Sequence, residues 1–321
     1  MMTFRTRREA EAAQAQRRTD FERGTAPDVT KMTVADYLRH WLESGVRPRV
    51  RPSTCASYER LIRVQLIPRL GHIPLQKLTA MHVQGCYSDL RTDPRGDGKQ
   101  GTLSPRSICY AHTVLKMALK QAERWRLVAR NVAMDMDAPK STRPQVRFWN
   151  AAETRQFLAV AAVDRHSGLW RVALSTGMRI GELRGLRWCD VDFAAKALHV
   201  RQQITRLGGK DHPSVPKTRV GRRTITLPAE ALADLRTLHA RRPASPIPLH
   251  HAQRDTDLVF ANDDGSPLDT DALTDRFGRV VARSGAPRIT FHGMRHTHAT
   301  LLLLHGVNIK TVSARMGHSS V

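Results

Sequence analysis

Residues 128–146, VARNVAMDMDAPKSTRPQV, carry two prolines and little periodicity, and they separate two stretches that are each rich in helix-start signals. A break of this kind divides a chain into two bodies joined by an extended linker, one able to reach around a rod-shaped partner. At 321 residues the chain is long enough for a buried core on each side.

The stretch before the break reads as an all-helical domain over residues 31–127. In TVADYLRHWL, Thr33 and Asp36 form a capping box, and Tyr37, Leu38, Trp41 and Leu42 follow at helical intervals. A second helix fits STCASYERLIRVQLIPRLG and closes at Pro68 and Gly71. A third begins near Thr79, and a fourth takes Ser104 as N-cap and Pro105 as its first residue. Ahead of them, residues 5–23 are rich in Ala, Glu, Arg and Gln, which favours an exposed lead-in helix.

The stretch after the break, residues 147–321, is mixed α/β but mostly helical. Asn150 caps AAETRQFLAVAAV with Glu153 at its third position, and helical patterns return at 229–242, 269–284 and across FHGMRHTHATLLLLHG and NIKTVSARM. Between them ALHVRQQITR and RRTITLP, on either side of GGKDHPSVPKTRVG, read as one small antiparallel sheet. The expected fold class is therefore mainly α with a small sheet in the second domain.

Charge points to a partner. The chain holds 52 Lys and Arg against 29 Asp and Glu, a formal +23. Residues 31–145 and 146–321 each carry +11, so the excess belongs to two folded surfaces rather than to a tail. Two basic bodies suit one extended polyanion, for which duplex DNA is the natural candidate. The four cysteines, Cys55, Cys86, Cys109 and Cys189, show no paired spacing, which argues against a zinc knuckle or disulfide framework. No secretory apolar region opens the chain, and its longest run of leucines is only Leu301–Leu304, so a cytoplasmic protein without a membrane partner is expected.

Four segments of the second domain hold groups suited to a phosphodiester. In STGMRIGELRGLRW, Gly177 permits a tight turn, Arg179 sits just inside a helix and Glu182 lies one turn later. A guanidinium there can fork two hydrogen bonds onto phosphate oxygens while the carboxylate orients it. Lys217 lies in a turn between strands, His292 and Arg295 are one helical turn apart, and His318 follows Gly317. Arg184 and Arg187 are read as backbone contacts or as exposed ion pairs with Glu182 or Asp190, and Trp188 and Phe193 as core. A zinc site on His292, His296 and His298 is discounted, because Gly293 stands where the metalloprotease motif needs glutamate.

In order and context these segments resemble the tyrosine recombinases, or phage integrases. STGMRIGELRGLRWCDVDF is similar to the family's first arginine box, PKTRVGRRTITLP to its β-hairpin lysine segment, and FHGMRHTHATLLLLHGVNIKTVSARMGHSS to its second box. The helical half resembles the family's SAM-like core-site-binding domain, and residues 4–16 its arm-site-binding domain's last helix, which makes residues 1–30 a lead-in or a remnant of that domain.

The resemblance implies that Arg179 and Arg295 hold the scissile phosphate, with Glu182 supporting them. It implies Lys217 as the general acid for the leaving 5′-oxygen, His292 in proton transfer at the nucleophile, and His318 as a hydrogen bond to a nonbridging oxygen. No metal or other cofactor is implied, since cationic side chains do the work of Mg²⁺ elsewhere. Double-stranded DNA is the implied partner, a homotetramer on DNA the implied assembly, a directionality factor an implied accessory, and the nucleoid the implied location.

In this family the nucleophilic tyrosine follows the Gly-His pair by roughly ten residues. Here three residues follow His318, and the four tyrosines, Tyr37, Tyr58, Tyr87 and Tyr110, all lie in the helical half. The expectation is thus a recombinase whose catalytic domain is incomplete at its C-terminus and whose nucleophile lies outside this sequence. A catalytically inactive DNA-binding remnant or a trans-acting subunit is the alternative, and a type IB topoisomerase-like enzyme is disfavoured by the integrase-type N-terminal domain.

Overall fold

The computed structural model describes residues 31–98, 100–134, 136, 145–216, 219–241 and 257–317. The lead-in at residues 1–30, Lys217 and His318 lie outside the described residues. The chain divides into two compact units, residues 1–143 and 144–321, each with its own apolar core. Both are mainly helical, and the described strands, all antiparallel, belong to the second.

In the first unit, α1 (Val34–His40) starts at Thr33, whose Oγ1 accepts from the Asp36 amide at 3.2 Å while the Thr33 amide donates to Asp36 at 3.3 Å. It runs on through a π-type turn, Trp41–Val46. The second helix expected from the sequence is interrupted: α2 (Pro52–Leu61) passes into a π-type stretch, Ile62–Leu66, before α3 (Ile67–Leu70). Pro68 has no N–H to give the Val64 carbonyl, and the preceding turn widens so that the Ile67 amide donates to Ile62. Next come α4 (Ala80–Thr92), capped by Thr79, and α5 (Pro105–Arg124), capped by Ser104.

Tyr37, Leu38, Leu66, Val83, Val114, Leu115 and Ala118 are wholly buried in this core. Residues 128–134, expected within the linker, pack on it instead. Asn131 donates to the Lys116 carbonyl at 2.9 Å and accepts from the Ala133 amide at 3.0 Å, and Ala133 is wholly buried. One amide side chain thus supplies locally the bonds that periodicity does not.

In the second unit α6 (Ala151–Ala161), capped by Asn150, leads to α7 (Ser167–Thr176) and the short α8 (Ile180–Arg184). The strands are β1 (Val191–Asp192), β2 (Ala197–Val200), β3 (Gln203–Leu207), β4 (Lys210–Ser214) and β5 (Arg223–Thr226). They make two sheets rather than the single one expected: β1-β2-β5, in which buried Leu198 faces buried Ile225, and a separate β3-β4 hairpin. β4, KDHPS, has neither β-branched residues nor apolar alternation, so the sequence hides it as a connection.

Four helices complete the described part of the unit: α9 (Ala229–Ala240), α10 (Thr270–Ser284), α11 (Phe291–Leu304) and α12 (Ile309–Met316). Trp149, Phe157, Trp170, Phe277 and Phe291 interlock with ring centroids 4.8–6.1 Å apart. Trp149 also ties residue 149 to α11, its amide donating to Thr297 at 3.0 Å and its Nε1 to the Pro287 carbonyl at 2.7 Å. Trp188 is buried and Phe193 packs against the same core.

The reading of Arg184 as an exposed or DNA-facing side chain is corrected. It is 1% exposed, pairs with Asp211 at 2.8 Å and donates to the Leu268 carbonyl at 2.5 Å, which fastens the β3-β4 hairpin to α8. Arg187 does pair with Asp190, at 2.8 Å, on a carboxylate that is buried.

Candidate active site

Gly177 ends α7 in the left-handed region, at φ 63°, and turns the chain so that Arg179 becomes the N-cap of α8. A Cβ at Gly177 would lie 2.8 Å from the Met316 sulfur and 2.9 Å from the His298 ring, so both the backbone angle and the close approach require glycine. Glu182 closes the turn: its Oε2 accepts from the Arg179 amide and its Oε1 from Arg179 Nη1, each at 2.9 Å.

Three further arginines converge on this turn. From β5, Arg223 donates Nη2 to Glu182 Oε2 at 2.9 Å and Nη1 to Oε1 at 3.2 Å. From α11, Arg295 donates Nη1 to the Gly177 carbonyl at 2.6 Å and Nη2 to the Met316 carbonyl, joining the ends of α7 and α12. From α12, Arg315 donates Nη2 to the carbonyls of Ser175, at 3.1 Å, and Thr226, at 2.9 Å, and Nε to His298 Nε2 at 3.1 Å. Two guanidiniums thus bond one carboxylate, and a third, that of Arg295, feels its charge. Arg179 is the one presented to solvent, with 39% of its side chain exposed against 6% for Arg223.

The electrostatics follow from burial and proximity. Burial opposes ionisation of Glu182, but hydrogen bonds and charge from Arg223, with further bonds from Arg179, outweigh it and hold the carboxyl below its ordinary value. Arg295 is pulled down to about 10, first by burial and then by the charge of Arg179; Glu182 opposes the fall and Arg223 adds to it. It therefore stays cationic at neutral pH, crowded by like charge, and gains from any anion placed beside it.

Burial, then the charge of Arg315, pushes His298 down to about 4, so its Nε2 is a neutral acceptor for Arg315. The unfolded imidazole binds a proton near pH 6.5 and the folded one near 4, so stability falls as pH drops through that window, by roughly 3 kcal/mol at most. Chemical denaturation between pH 7 and pH 4.5 measures this loss, and a His298→Gln variant should show a flatter slope. An equal slope in that variant would assign the loss to other groups.

The structure brings Arg179, Glu182 and Arg295 to one place. His292, one turn before Arg295 on α11, is exposed and stands edge-on to His296 with ring centroids 4.9 Å apart. It lines a groove of about 1060 Å³ with His296, Arg147, Arg279 and Arg288, whereas Arg295 turns to Gly177 and Met316. Of the described neighbours of Lys217 and His318, Pro216 is buried, and Gly317 sits at φ 67° where an added Cβ would lie 3.1 Å from Arg223 Nη1.

Sequence reasoning missed Arg223, Arg315 and the buried role of His298. Each has a faint local signal: Arg223 precedes alternating strand residues, Arg315 stands two before Gly317, and His298 shares the face of α11 that carries Arg295.

Residues 147–321 match the family model described as the phage integrase family, and residues 33–91 match the phage integrase N-terminal SAM-like domain. Among relatives, a "Tyrosine recombinase XerC-like" protein of Caldanaerobacter subterraneus subsp. tengcongensis is 26% identical over 99% of this chain and 84% of its own length. The ICEBs1 integrase of Bacillus subtilis is 24% identical over 98% of this chain and 84% of its own. Among solved structures, the Tn1549 transposon integrase in complex with transposon right end DNA superposes with a TM-score of 0.75 at 26% identity, covering 90% of this chain and 92% of that one. A lambda integrase dimer bound to a core site shares the fold, with a TM-score of 0.68 at 19% identity over 99% of this chain and 85% of that one.

Proposed function

Because the chain belongs to the phage integrase family of tyrosine recombinases, we propose that it is a site-specific recombinase that cleaves and rejoins duplex DNA through a 3′-phosphotyrosyl intermediate. The observation that carries this reading is the convergence of Arg179 and Arg295 on Glu182, a cationic turn with Arg179 open to solvent.

In the proposed reaction a tyrosine oxygen attacks phosphorus and the 5′-oxygen leaves. Arg179 and Arg295 neutralise the charge that builds on the nonbridging oxygens of the pentacoordinate transition state. Lys217 gives the leaving 5′-oxygen its proton, His292 receives the proton of the attacking hydroxyl, and His318 donates to a nonbridging oxygen. Attack of a 5′-hydroxyl on the phosphotyrosine reverses these steps and reseals the strand. These roles require no metal or other cofactor.

Tyr37 and Tyr87 are buried in the first unit, their hydroxyls bonded to the Ala118 carbonyl and to His112, which disqualifies both as nucleophile. The proposed attacking group is instead a tyrosine hydroxyl brought to the phosphate beside Arg179 and Arg295.

A suicide substrate tests this: nicked duplex carrying the core site, scored for a covalent protein–DNA band on a denaturing gel. No band from residues 1–321, and a band once the family's tyrosine-bearing segment is appended, is the expected pair of results. A band from residues 1–321 traced to one of the present side chains would overturn the nucleophile assignment, and no band from either would overturn the recombinase reading.

The partner is double-stranded DNA, engaged by a homotetramer at synapsis and subject to a directionality factor, with the nucleoid as the place of work. Among the described residues no helix is long and apolar enough to cross a membrane. With +11 on each half of the chain, duplex affinity should fall roughly 10³-fold between about 50 and 200 mM salt, as for a protein making about six phosphate contacts. Fluorescence anisotropy over that range measures the slope, and a flat one would refute electrostatic gripping.

A further inference from the structure

Arg223 has no part in the proposed reaction, yet it bonds to several described segments of the site. It is 6% exposed, and its guanidinium makes four hydrogen bonds: Nε to the Arg315 carbonyl at 2.6 Å, Nη2 to Glu182 Oε2 at 2.9 Å, and Nη1 to both Glu182 Oε1 and the Gly221 carbonyl at 3.2 Å. A Cβ at Gly317 would lie 3.1 Å from the same Nη1.

The residue therefore links three segments far apart in sequence: the strand that returns from the Lys217 segment, the helix that follows Arg179, and the turn that leads into His318. We propose that Arg223 is a positioning residue for strand cleavage, orienting Glu182 as the anion that holds Arg179 and clamping the Gly317 turn to the same site. This rests on the recombinase reading.

Two physical consequences follow. A bidentate guanidinium fixes both oxygens of a carboxylate in one plane, so Glu182 has a defined edge left to meet the Arg179 amide and Nη1. Glu182 is also faced by Arg179 from the turn before α8 and, through charge, by Arg295 from α11, while Arg315 of α12 bears on Arg223 itself. Of these, Arg223 does most to keep the buried carboxyl ionised.

The test compares wild type with Arg223→Met and Arg223→Lys in the full chain. A ¹³C carboxyl titration reads Glu182 directly and needs no turnover: the wild-type group should titrate below 4.5, the Met variant above it, and the Lys variant between them. Suicide-substrate cleavage, with the tyrosine-bearing segment appended, should fall at least tenfold in the Met variant, as when one of several positioning contacts is lost, and fall further as pH approaches the raised Glu182 value. Lysine should restore the pH profile before it restores the rate, because it keeps the charge and loses the fork.

An unshifted Glu182 in the Met variant, or an unchanged cleavage profile in a folded variant, would overturn the proposal. Absence of cleavage by the wild type alongside a shifted Glu182 would instead overturn the recombinase reading and with it the cleavage role, leaving the hold of Arg223 on Glu182 established.

Discussion

Arg295→Ala should cost the second unit about 3–5 kcal/mol of stability and lower strand cleavage by at least 10³-fold. The stability loss has two sources. Truncation leaves the carbonyls of Gly177 and Met316 without the donor that now meets both, in a place that is 3% exposed, and it empties the volume of a long side chain. The cleavage loss has a separate origin, the removal of a preorganised cation from beside the developing charge. Lysine answers neither need, since one ammonium cannot copy a planar fork that spans two helix ends. Urea denaturation and the suicide-substrate assay, both run on the chain with the tyrosine-bearing segment appended, separate the two effects. A variant with wild-type stability would show that the two carbonyls find other donors, and one with wild-type cleavage would remove Arg295 from the phosphate.

Glu182→Gln should be nearly as severe, at roughly 3 kcal/mol, because it leaves buried guanidiniums facing one another without their shared anion. Its signature is a pH dependence. The folded carboxyl lies below the ordinary 4.5, so the stability it contributes is present above that value and is lost as pH falls through the folded one. Wild type and variant should therefore differ at pH 7 and converge below pH 4.5. Adding Arg223→Met to Glu182→Gln should recover some of the loss, since the second change removes one of the charges that the first left uncompensated. A double variant worse than the sum of the singles would show that Arg223 acts mainly through its bonds to Arg315 and Gly221.

What the sequence reveals of this fold is what neighbouring residues decide. Thr33, Ser104 and Asn150 cap the helices that their spacing predicts, and the placing of Arg179 and Glu182 three residues apart suffices to see one as the partner of the other. The interruption at Pro68 is half visible: proline announces a break, while the widened turn that absorbs it depends on packing. β4 is invisible because its partner, and not its composition, makes it a strand. Arg184, Arg223 and Arg315 look like three surface arginines in a basic protein. Each is held by a partner 27 to 140 residues away, a distance over which periodicity carries no information.

The double attachment of Arg295 also bears on synthesis. Its two carbonyl partners lie 118 residues before it and 21 residues after it. A chain still on the ribosome, short of Met316, has the arginine and its Gly177 partner but not the second carbonyl, so the full seat of Arg295 comes into being only when α12 docks.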